Sequence, residues 1–148
     1  METIIVILDD AGYALHHLQP MAREGSAPAH WVLVACPPRM TRHASKWVHR
    51  AAREAWRGKW CAELFAQVEP QLEGRGHRVT THEAHKPLVD CVRELVAQHG
   101  AARVLDARRP KFGQPMEAAT PGQPDRDASW QVPGAVAGLG AMLVLAAD

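Results

Sequence analysis

The sequence predicts an α/β domain: an open, five-stranded, mostly parallel sheet with helices on both faces. Two observations predict it. Short, continuous β-branched runs alternate with stretches of helical period, and each helical stretch is long enough to bring the chain back for a parallel crossover. The runs also end abruptly in charge or proline, where a buried strand leaves the sheet.

The first strand is Thr3 to Leu8, closed by Asp9 and Asp10. Leu15, Leu18 and Met21 or Ala22 then recur at helical spacing over Ala11 to Arg23, interrupted by Pro20. His30 to Cys36 is the second strand, stopped by Pro37 and Pro38, which have no amide to donate. From about Ser45 to Glu73 a long helix is expected, weakened at Gly58 and Pro70 and ended by Gly74 and Gly76. His77 to His85 reads as a third strand, and Pro87 fits the first turn of a third helix that Gly100 closes. Ala102 to Ala107 is a fourth strand running into the basic turn Arg108, Arg109, Pro110, Lys111. Residues 114–133 hold prolines and glycines without a period and read as a long irregular loop. Ala141 to Ala146 is the closing strand.

The chain of 148 residues has the size of one domain, taken as residues 1–148, with 47% hydrophobic and 22% charged residues. A formal charge of +1 gives no reason to expect a polyanion, so nucleic acid is not an expected partner. Cys36, Cys61 and Cys91 are odd in number and lie in apolar runs, which reads as buried thiols in a reducing compartment. No apolar run reaches the roughly 20 residues needed to cross a bilayer, and the opening run lacks the basic flank of a signal peptide. A cytoplasmic protein without a membrane partner is expected.

In parallel sheets of this kind ligands sit beyond the carboxyl ends of the strands, where strand order reverses. That rule selects Asp9, Asp10, Cys36, Pro37, His82 to His85, and the turn Arg108 to Lys111, with Gly113 just beyond it. His77, His82, Glu83 and His85 have ligand chemistry, but 82 and 85 fall on opposite faces of an ideal strand, so no metal is expected. No serine lies in a nucleophile turn and no cysteine has an activating neighbourhood, so no enzymatic activity is expected.

The segments IIVILDD (Ile4 to Asp10), WVLVACP (Trp31 to Pro37) and ARVLDAR (before and into Arg108), in this order of elements, resemble the universal stress protein family over nearly the whole chain. The resemblance implies a Rossmann-like, adenine nucleotide alpha hydrolase-like fold, and a nucleotide contact at Asp9 or Asp10. It also implies a homodimer through the last strand, Met142 to Leu145. In the nucleotide-binding branch a glycine pair follows the fourth strand, and nine residues later a glycine and a hydroxyl residue complete an amide cradle for phosphates. Here the chain reads RRPKFGQPMEAATPG, with Gly113 the only glycine before Gly122 and Pro110 lacking an amide. The expected function is therefore a nonenzymatic regulatory or stress-associated domain that does not hold ATP in the family's usual way, and no cofactor is expected. An alternative is an adenine-nucleotide sensor in which Arg108, Arg109 and Lys111 replace the amides; against it, these cations form a solvated turn or pair with Asp125 and Asp127.

A third class of function comes from residues 39–60, where nine basic side chains are offset only by Glu54 and interleave with Trp47, Trp56 and Trp60. Such a surface suits an interaction adaptor for protein or nucleic acid. The competing expectation is that the tryptophans pack inward and the basic residues merely solvate the outer face.

Overall fold

The computed structural model describes residues 1–22, 27–38, 47–74, 76–110 and 117–120, and the backbone of 143–145. Four parallel strands form the sheet: β1 (Glu2–Leu8), β2 (Ala29–Ala35), β3 (Arg78–Glu83) and β4 (Ala102–Asp106). A three-residue β5 (Leu143–Leu145) adds to β4 in the antiparallel sense, giving the order β3-β2-β1-β4-β5. The α/β class follows from the continuous apolar runs, because β1 and β2 serve two cores at once. Ile4, Val6, Leu8, Trp31, Leu33 and Ala35 face one side, and Ile5, Ile7, Val32 and Val34 face the other.

The first core is closed by α1 (Ala11–Leu18) and α2 (Arg50–Leu72), the second by α3 (Leu88–His99). The first two crossovers step across the sheet in one direction and the third steps back past β1. Right-handed connections then require the third helix to take the opposite face. The buried side chains of α2 are Cys61, Leu64, Phe65, Val68 and Leu72, a stripe at helical spacing confined to its C-terminal half. Its N-terminal half therefore runs past the core with no residue buried in it, which matters below.

Several expectations are corrected. The first helix stops at Leu18 rather than Arg23, because Pro20 cannot donate to the carbonyl of His16. The long helix starts at Arg50 with His49 extended at its cap, not at Ser45, and Pro87 is an extended cap residue (φ −49°, ψ 134°) rather than part of the third helix. Of the five strands four are parallel, and the short β5 is antiparallel. A parallel fifth would need a helical crossover, and the Pro- and Gly-rich stretch after β4 has no helical period, so the chain returns antiparallel. Gly100 ends α3 at φ 78°, a conformation that costs a side-chain-bearing residue dearly. Residues 121–133 and Met142 lie outside the described residues. Among the described residues, no helix is long and apolar enough to cross a membrane.

Candidate functional site

Strand order reverses beside β1, so the crevice favoured for ligands opens between the carboxyl ends of β1 and β4. The structure brings Asp9, Asp10, Arg108 and Arg109 together there. Asp10 caps α1, its Oδ1 accepting from the Tyr13 amide at 2.9 Å, and Asp9 Oδ1 accepts from the Arg109 amide at 2.8 Å. The Arg109 guanidinium reaches Asp10 Oδ2 at 3.7 Å, with most of the arginine in water. The adjacent carboxylates thus converge on Arg109 instead of simply diverging.

Arg108 is buried. Its Nε donates to Asp106 Oδ1 at 2.9 Å and its Nη2 to Oδ2 at 2.8 Å, while its backbone amide also donates to Oδ1 at 3.2 Å. Burial alone would weaken the charge, but the hydrogen bonds and the charge of Asp106 outweigh it and hold the Arg108 pKa above the ordinary value. Among the described residues the partner shown for Arg108 is the strand residue two positions back, while Asp125 and Asp127 lie outside the described residues. Lys111 and Gly113, the other members of the basic turn, lie outside the described residues. Beside Asp9 and Asp10 is a hollow of about 300 Å³ that also touches Glu63, Trp60 and Gln67 and, among the described residues, has no cationic side chain in its wall.

Cys36 and Pro37 line a different and larger cavity, of about 590 Å³, at the carboxyl ends of β2 and β3. Its far wall is the N-terminal half of α2, with Arg50, Arg53, Trp56 and Arg57, and its floor includes His85, Lys86 and Leu88. Arg57 Nη2 donates to the Ala84 carbonyl at 2.8 Å, and Arg50 Nε meets Glu54 Oε1 at 3.1 Å. Glu117 enters from the segment after β4, and its Oε1 accepts from the Leu88 amide at 3.0 Å, at the open N-terminus of α3.

The tryptophans do not all pack inward. Trp60 lies against the first core, but Trp56 is 40% exposed and Trp47 79% exposed. The basic residues at 39, 42, 43 and 46 lie outside the described residues. His82 and Glu83 end β3, and His85 Nε2 stands 3.4 Å from Glu83 Oε2. Burial, then the neighbouring His85, lowers the His82 pKa. Among the described residues no group of three or more metal-ligating side chains is assembled.

Sequence reasoning missed Asp106 and Glu117. Asp106 had a legible signal, an acid two residues before an arginine at a strand end; Glu117 meets Leu88 across 29 positions with no local signal. No family model, curated protein or solved structure matches the chain, so its function is argued from its own residues.

Proposed function

We propose that this chain is a nonenzymatic regulatory or stress-associated domain of the universal-stress-protein kind, Rossmann-like in fold, whose nucleotide position is closed by its own side chains. The observation that carries this reading is the buried fork of Arg108 on Asp106, next to an Arg109 amide already spent on Asp9. A triphosphate at this crevice needs unspent amides and unneutralised cations. It finds a neutralised guanidinium, an occupied amide and a hollow walled by Asp9, Asp10 and Glu63. The free thiols of Cys36, Cys61 and Cys91 support a reducing, cytoplasmic setting. The place of β5 at the end of the strand order supports a homodimer through the C-terminal strand.

Calorimetry of the full chain with ATP, ADP and AMP at millimolar concentration tests the reading, with no binding heat expected. Saturable binding lost on Arg109→Ala would overturn it in favour of an adenine-nucleotide sensor using the basic turn. The exposure of Trp47 beside the basic stretch favours a second reading, an interaction adaptor working through α2. Its test is whether replacing Arg50, Arg53 and Arg57 together abolishes binding to an acidic partner.

A further inference from the structure

We propose that the cleft between the N-terminal half of α2 and the carboxyl ends of β2 and β3 binds a small aromatic phosphomonoester. Its volume of about 590 Å³ is that of a small-ligand pocket and far below what a folded partner would need. The wall is regular in origin. Residues 50, 53 and 57 fall on one face of α2, and before Trp60 no residue of this helix packs into the core, so its arginines line the cleft.

Charge selects the ligand. Among the described residues of the wall, Arg50, Arg53, Arg57 and Lys86 stand with Glu54 and Glu117, and after Glu94 is set against Lys86 a positive charge remains that an anionic ligand would offset. Arg50 is engaged by Glu54, Lys86 by Glu94, and Arg57 by a backbone carbonyl that fixes its plane and leaves further N–H donors over. Arg53 is half-buried and makes no side-chain hydrogen bond or ion pair with any described residue. Removing a guanidinium partly from water without a partner is costly, and a phosphate oxygen pair matches its fork. A phosphomonoester carries close to two negative charges above about pH 6.

The aromatic half follows from the remaining walls. Trp56 presents part of its indole in this cleft rather than in the core, and Pro37, Pro38 and Pro87 provide rigid apolar surfaces around it. Such surroundings suit a flat ring better than a sugar or a chain. Glu117, seated on the Leu88 amide, already shows that a carboxylate is stable at the edge of the cleft, and its charge opposes an incoming dianion. This site is distinct from the crevice at Asp9 and Arg108, so ATP binding there would defeat the earlier reading and leave this one untouched.

The test is titration of the full chain with phenyl phosphate, followed by calorimetry and tryptophan fluorescence, with phenol and inorganic phosphate as the two halves. Saturable one-to-one binding is expected, at least about tenfold tighter than for either half. Arg53→Ala should weaken it by about tenfold or more, Arg53→Lys by less, because charge returns without the fork. Trp56→Leu should abolish most of the fluorescence change, and Glu117→Gln should tighten binding. Because the Arg53 side chain has no partner among the described residues, Arg53→Ala should leave the thermal midpoint unchanged, so weakened binding is not unfolding. Absence of saturable binding, or binding indifferent to both Arg53→Ala and Trp56→Leu, overturns the assignment, as does inorganic phosphate binding as tightly as phenyl phosphate.

Discussion

Arg108 and Asp106 form a two-pronged ion pair that is almost entirely out of water, with side-chain exposures of 5% and 0%. Asp106 is the last residue of β4 and its backbone is held in register opposite Ile7 of β1, so the carboxylate is fixed by the sheet. The guanidinium folds back over the strand end to reach it. One carboxylate thereby accepts from both the side chain and the amide of Arg108, so the guanidinium at that position is not offered to the crevice as a free cation.

The pair should behave as a unit. Asp106→Asn or Arg108→Met alone removes the opposite charge of the fork from a buried ion and should cost about 3–5 kcal/mol in urea denaturation. Asp106→Leu combined with Arg108→Met should recover much of that loss, because both desolvation penalties vanish together. Single losses that simply add in the double variant would show that the fork contributes nothing to folding.

Asp10 makes a smaller, separable contribution. As the cap of α1 it supplies the Tyr13 amide with an acceptor, so Asp10→Ala should destabilise by about 1 kcal/mol while Asp10→Ser retains most of the effect. Asp9→Ala removes the acceptor of an amide at the exposed turn of Arg109, where water can substitute, and should cost less. Equal losses for the two alanine variants would contradict the capping role.

β1, β2 and the two long helices were legible because β-branched runs and helical periodicity are local signals, and each was strong in its own segment. The boundaries failed where a neighbour decides them. Nothing within residues 45–50 says that the helix waits until Arg50, and the direction of β5 is not written in Leu143–Leu145 themselves. The site divides in the same way. Asp9, Asp10 and Arg108 were legible as residues just beyond strand ends, yet the partner of each depends on three-dimensional placement. The basic stretch was visible in composition, but which of its faces meets a cleft depends on where the sheet stops covering α2. Glu117, held by contacts distant in sequence, had no signal at all.

Stability should fall as the solution is acidified below the ordinary histidine range. His30 is 8% exposed with Nε2 2.7 Å from Thr80 Oγ1, and burial, then Arg78 and His99, lower its pKa below 6.5. The unfolded chain takes up the proton first, so stability present above about pH 6.5 is lost as pH falls towards the folded value. His82 is shifted the same way and adds to the loss. Thermal midpoints between about pH 7.5 and about pH 5.5 should therefore decline, and His30→Gln should show a shallower decline than the wild type. A slope unchanged by that substitution would remove His30 from the account.

Cys36 should resist alkylation although it stands at the edge of the cleft. Burial, the largest cause, pushes its thiol from 9.0 up to about 12, with Arg108 opposing and Asp9, Asp106 and Cys91 reinforcing. Each unit removes a factor of about ten in thiolate, the reactive form, so native labelling by iodoacetamide should run roughly a thousandfold slower than at an unburied thiol. Cys61, raised to about 11 by burial first and then by Glu83, should also be slow, and Cys91 is shifted in the same direction. Denaturant should bring all three to a common rate, read peptide by peptide by mass spectrometry. Asp106→Asn offers the sharper check. It removes a neighbouring negative charge and releases the Arg108 guanidinium from its partner, and both changes favour the thiolate of Cys36, so labelling there should accelerate while Cys61 is unaffected. Acceleration at both cysteines would instead report loosening of the whole domain.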